Sequence, residues 1–175
     1  MVEEPLPTGS STFTVVSYNV RIDMDRSPHR WVDRKRPVLQ NILRVHPSVI
    51  CLQESTDKVR RMFAARLPDF GMVTATRSAA SDEAVPILYD RRQWRLKRGG
   101  TMVMTEAGPA PCVGGACHSK TRFGAVTARH PRLLTYAWLE SSAGEVCVYN
   151  THFPLARELQ DQCARQIASV LGSTE

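Results

Sequence analysis

The chain has 175 residues, 23 of them Lys or Arg and 17 Asp or Glu, for a formal charge of +6. Hydrophobic residues at 42% and charged ones at 23% mark a globular chain rather than a disordered one, and no apolar run approaches the ~20 residues that cross a bilayer. The pI near 9.4 suits an anionic partner, but a surplus this small is ordinary for an inert protein and selects no function.

The length fits one domain with room for a core that needs neither disulfides nor a structural metal. Residues 1–12 read as a flexible lead-in, acidic and Pro-rich, with no apolar stretch of a secretory signal. Phe13 to Val20 is β-branched and aromatic, a strand. Trp31 to His46 carries Val38, Leu39, Ile42, Leu43 and Val45 at helical spacing; Pro37 suggests that the regular helix starts there, and Pro47 ends it. Ser48 to Gln53 is a short apolar strand, and Thr56 to Leu67 a second helix with Ser55 or Thr56 as its N-cap. Two strand–helix steps argue for an α/β layered fold.

Beyond residue 72 the pattern turns to short strands: Val85–Tyr89, Arg95–Lys97, Thr101–Met104, Leu133–Leu139 and Glu145–Thr151. Gly99-Gly100 reads as a turn between two of them, and Ala107 to Phe123 as a long loop. Leu155, Leu159, Cys163, Ile167 and Leu171 recur every fourth residue, the stripe of an amphipathic helix.

Five scattered cysteines do not form a disulfide framework, so free thiols in a reducing, cytoplasmic compartment are expected. Cys112, Cys117 and His118 lack a second pair of ligands at zinc-finger spacing and read as a loop with two free thiols. P-loop, GxGxxG, HExxH and GxSxG signatures are absent. What remains is a set of polar residues at the ends of apolar strands: Asn19, Gln53-Glu54 and Asn150-Thr-His152. Strand ends that converge are where layered α/β folds bind ligands. There a Glu offers a carboxylate to a hard cation, an Asn an amide beside it, and a His acid/base chemistry. Each residue alone has an ordinary explanation as a cap, a turn former or a strand-end side chain.

In order, however, Ser17-Tyr-Asn-Val-Arg21, Pro47 to Glu54 and Val148-Tyr-Asn-Thr-His-Phe153 resemble three successive motifs of the endonuclease/exonuclease/phosphatase superfamily, which has the DNase I-like fold. Val85-Pro-Ile-Leu-Tyr89, Gly100 to Glu106, Arg132 to Ala137 and Trp31-x2-Arg34 resemble further stretches of it, so the likeness runs from residue 13 to about 171. It implies a four-layer α/β sandwich of two mixed sheets and a Mg²⁺-dependent phosphohydrolase, with Mn²⁺ as a substitute. The substrate class it implies is a phosphate ester: nucleic acid, nucleotide or phospholipid head group. By the same resemblance Glu54 and Asn19 bind the cation and His152 contacts the phosphate or donates the proton. Glu83 orients that histidine and keeps it protonated, while Arg132 and Asn150 lie beside the substrate phosphate.

The family's next motifs, Gly-Asp-x-Asn and Ser-Asp-His, do not occur before Glu175. The expectation is an incomplete domain over residues 13–175 that lacks its C-terminal part, with impaired hydrolysis and with association through unpaired sheet edges. Arg91 to Arg98 holds five cations around Trp94 and offers a second reading, a non-catalytic protein that grips nucleic acid or an anionic surface. A solvated edge strand with Trp94 and Leu96 inward fits the same residues.

Overall fold

Among the residues that the computed structural model describes (12–105, 107–112, 115, 117 and 132–172), eight strands and three helices follow one another. The first half comprises β1 (Val15–Asn19), α1 (Trp31–Leu43), β2 (Val49–Gln53), α2 (Asp57–Arg66), β3 (Phe70–Val73) and β4 (Ile87–Asp90). The second comprises β5 (Arg95–Thr105), β6 (Gly108–Pro111), β7 (Leu133–Ser141), β8 (Gly144–Thr151) and α3 (Arg157–Gly172). One sheet is mixed, in the order β1-β2-β4-β3, with β1 parallel to β2; α1 makes the crossover such a pair requires. The other is antiparallel, in the order β6-β5-β7-β8.

β2 is buried at every position, as a strand covered on both faces must be. Its period of two sends Ile50 and Leu52 into a core shared with Trp31, Val38 and Ile42 of α1 and Val59 and Phe63 of α2. Val49 and Cys51 face the other way, against Ala137 and Leu139 of the second sheet. On that sheet's outer face Met104 and Leu134 pack on Leu159 and Cys163 of α3. Helices, sheet, sheet and helix make the four-layer α/β sandwich.

Several local expectations are revised. α1 begins at Trp31 rather than at Pro37: burying the indole to 5% exposure fixes the first turn. Pro37 inside it forfeits only a bond to the carbonyl of exposed Asp33. β5 runs unbroken through Gly99-Gly100, with a bulge between Leu96 and Arg98. The glycines there serve close approach, since a Cβ at Gly99 would lie 3.1 Å from the Tyr136 carbonyl and the Val73 side chain. Gly71 explains why β3 was missed: it breaks the apolar pattern because the Tyr89 ring covers it, 2.2 Å from where a Cβ would stand. β6 occupies part of the expected long loop, and Leu155 lies 94% exposed ahead of α3.

Cys112 and Cys117 are joined in a disulfide, against the expectation of free thiols; Cys51, Cys147 and Cys163 are unpaired. The segment is pinned at both ends. The Cys112 amide donates to the Thr101 carbonyl, the Thr76 amide to Gly115, and the Cys117 amide back to Thr76. Cys117, 1% exposed, wedges between Ala75, Val85, Val103 and Leu133. The ground for a reducing compartment thereby falls, since disulfides persist in oxidising ones. The lead-in over residues 1–11, His118 and the loop from 118 to 123 lie outside the described residues. No described helix is long and apolar enough to cross a membrane.

Candidate functional site

β1, β2 and β8 deliver Asn19, Glu54 and His152 to one end of the sandwich. Glu54 follows β2 in a left-handed conformation (φ 57°), which turns its side chain off the strand line toward β1. There Asn19 Nδ2 donates to Oε1 at 2.9 Å and the Ile22 amide to Oε2 at 2.7 Å. The chain makes the Ile22 contact by turning at Arg21, also left-handed, whose amide donates to Asn19 Oδ1 at 2.8 Å. His152 Nε2 stands 3.9 Å from Glu54 Oε1. A depression of about 500 Å³ lined by Asn19, Arg21, Ile22, Met24, Asp25 and Glu54 opens in front. Burial raises the Glu54 carboxyl, but the bonds from Asn19 and Ile22, with His152 and Arg21, outweigh it and hold the pKa below the usual carboxylate range.

A second cluster lies behind His152. Glu83 meets Arg77 through two short bonds, 2.6 and 2.5 Å, with both side chains almost buried at 10% and 7% exposure. The sequence placed Glu83 on His152; in the fold its two oxygens are taken by Arg77. The imidazole Nδ1 is buried and finds no partner among the described residues. Burial first, and Arg132 second, push the His152 pKa below 6.5 despite the opposing pull of Glu54 and Glu83. Glu83 still pulls the imidazole upward, but its oxygens are bonded to Arg77 and the net shift is downward, opposite to the expected direction. Arg132, half-buried, has an Nε without a partner and no carboxylate at ion-pair distance among the described residues; burial and Arg77 weaken its hold on its proton.

Asn150 is elsewhere. It is 3% exposed, takes a bond from Gln53 Nε2 at 2.8 Å, and donates to the carbonyls of Leu52 at 2.8 Å and Pro86 at 2.9 Å. Both donors and the acceptor are committed to joining the two sheets, so none faces the depression. The structure also brings forward residues the sequence left unremarked. Arg77 sat in the polar run Thr76–Ser81, where nothing distinguished it from a loop cation. Arg60, 9% exposed on α2, ties the Ser55 and Asp82 carbonyls together and so braces the segments bearing Glu54 and Glu83.

The donor set suits a hard divalent cation. Glu54 presents an ionised carboxylate fixed by two donors, with Asn19 beside it, and Mg²⁺ needs one or two carboxylates while keeping several waters. No cluster of three His, Cys, Asp or Glu at metal-binding distance exists among the described residues, and the disulfide removes two thiols from any zinc site.

The architecture is that of known proteins. An endonuclease/exonuclease/phosphatase of Bacteroides vulgatus superposes with a TM-score of 0.75 at 22% identity, over 91% of this chain and 60% of that one. A mannosyl-6-phosphatase of Bacteroides thetaiotaomicron gives 0.73 at 19% identity, over 93% and 60%. TDP2 of D. rerio, in complex with a single-stranded DNA product, gives 0.63 at 14% identity, over 90% and 52%. The chain thus has the DNase I-like fold of the endonuclease/exonuclease/phosphatase superfamily and spans about three-fifths of the length of the first of these structures. No protein-family model matches the sequence, and no curated protein is significantly similar to it.

Proposed function

We propose that this chain forms the cation-binding part of a Mg²⁺-dependent phosphoester hydrolase. The observation that carries the reading is the meeting of Glu54 and Asn19 at the strand-end depression, with His152 Nε2 3.9 Å from Glu54 and with Arg132, which has no carboxylate at ion-pair distance among the described residues, electrostatically coupled to both. Glu54 and Asn19 would hold the cation, which when bound neutralises charge developing on phosphoryl oxygens. Arg132 would attract the substrate phosphate through its charge. His152 would exchange a proton with the attacking water or the leaving oxygen. Arg77 and Glu83 hold the charges behind it in place. The structural neighbours carry about two-fifths of their length beyond the part matched here, so turnover by this polypeptide alone is expected to be low.

The binding-only reading loses its main support. Arg91 donates to the carbonyls of Pro68 and Phe70, and Arg92 pairs with Asp90. Arg95 pairs with Glu140, Lys97 with Glu145, and Arg98 lies over the Trp138 ring. Trp94 is 6% exposed. The cations pair with groups of their own surface, and the buried Trp94 offers no stacking platform.

The test is phosphoesterase activity of the purified chain with Mg²⁺ and with EDTA, on nucleic acid, an aryl phosphodiester and a sugar phosphate, beside Glu54→Gln and His152→Ala. EDTA-sensitive turnover lost in both variants is the expected outcome. Turnover indifferent to EDTA, or equal in both variants, would refute the assignment.

A further inference from the structure

Arg34 stands near the start of α1, outside the strands and not itself among the residues that line the depression. Its guanidinium is nonetheless spent on three backbone carbonyls of the loop leading into α1: Nε on His29 at 2.5 Å, Nη1 on Val20 at 2.5 Å and Nη2 on Arg21 at 2.9 Å. The Trp31 ring lies beneath it, 5.8 Å from centroid to guanidinium carbon. Val20 and Arg21 are the residues between Asn19 and Ile22, whose groups grip the two oxygens of Glu54. Arg21 is held left-handed there, a conformation a residue with a Cβ adopts only when its surroundings impose it. Fixing the carbonyls of Val20 and Arg21 fixes the peptide planes on both sides of Arg21, and hence the direction of the Ile22 amide.

We infer that Arg34 is a positioning residue for the cation site: its planar fork locks the 19–22 turn so that Glu54 is presented in one orientation. This rests on the proposed role of Glu54 as the cation's carboxylate. Lysine keeps the charge but gathers its donors on one nitrogen at the end of a flexible stem and cannot reach three carbonyls with a planar fork. Residues that orient metal ligands typically govern affinity by roughly 10–100-fold.

Two readouts test it on Arg34→Lys, with Phe63→Leu as a core variant of comparable melting temperature that leaves the turn intact. In metal-free protein, amide hydrogen exchange at Arg21 and Ile22 should accelerate at least tenfold in Arg34→Lys and stay unchanged in Phe63→Leu. In Mn²⁺ titrations by calorimetry, Arg34→Lys should weaken binding about tenfold or more, and Glu54→Gln should abolish it. Native-like exchange protection in Arg34→Lys would overturn the inference, as would Mn²⁺ affinity within twofold of wild type, or equal losses in Phe63→Leu. If Glu54→Gln binds Mn²⁺ like wild type, the cation reading fails instead. If only Glu54→Gln loses binding, the role of Arg34 fails alone.

Discussion

Replacing Asn150 by alanine separates a role in the fold from a role at the substrate. The side chain makes three hydrogen bonds that cross between β8 and the β2–β4 region. Each is worth about 1 kcal/mol net, and groups left unsatisfied in the core add about 1–3 kcal/mol. Pro86 O still accepts from the Leu52 amide and Gln53 Nε2 keeps contacts to Ser17 and the Cys51 carbonyl, so the full penalty applies only in part. The loss should total roughly 3–5 kcal/mol, against a domain stability of about 5–15. With a urea slope of about 2 kcal/mol per molar, the midpoint should fall by about 1.5–2.5 M. Asn150→Asp should be at least as damaging, because a carboxylate would face two carbonyls in place of the donors they need. The assay is equilibrium urea unfolding by far-UV circular dichroism. A midpoint unchanged in Asn150→Ala, together with weakened phosphate binding, would refute the reasoning and return this residue to the site.

Three further outcomes follow from the same geometry. Alkylation of the denatured, unreduced chain should label three of the five cysteines, since Cys112 and Cys117 are bonded; replacing both by serine should cost about 2 kcal/mol for so short a loop, and labelling of all five would disprove the bond. Removing one partner of the nearly buried Arg77–Glu83 pair, as in Arg77→Met, should cost about 3–5 kcal/mol in thermal or urea unfolding, while the double change Arg77→Met with Glu83→Leu should recover most of it; equal losses in single and double variants would contradict the pairing. The His152 imidazole, with a folded pKa below its unfolded value of 6.5, contributes stability that is present above that pH and lost as pH falls through the folded value. Its titration by NMR should therefore have a midpoint below 6.5, and Arg132→Gln should move it up; a wild-type midpoint above 6.5 would contradict the charge balance around it.

The layers were legible because periodicity reports burial directly. In β2 the alternation of Ile50 and Leu52 with Val49 and Cys51 requires cover on both faces, and Val38 with Ile42 defines the side of α1 that supplies one of them. Glycine was read less well, because its sequence signal is the same for a turn and for a close approach. Gly99-Gly100 and Gly71 mark places where Tyr136, Val73 and Tyr89 crowd the backbone, and only the packing distinguishes that from chain reversal. The disulfide was hidden for a similar reason. Two cysteines five apart give no pairing signal of their own, and it is the bonds of Thr76 to Gly115 and Cys117 that hold Cys117 in place beside Cys112.

The site divides along the same line. Asn19, Glu54 and His152 are strand-end residues, and topology alone carries them to one end of the sandwich. What topology does not determine is which charge meets which. Glu83 had two potential cationic partners, and the structure gives it the guanidinium of Arg77, whose two parallel donors satisfy both carboxylate oxygens where an imidazole would satisfy one. His152, without that carboxylate as a hydrogen-bond partner, has its pKa lowered by burial first and Arg132 second. No spacing in the sequence announces that buried Arg77–Glu83 pair.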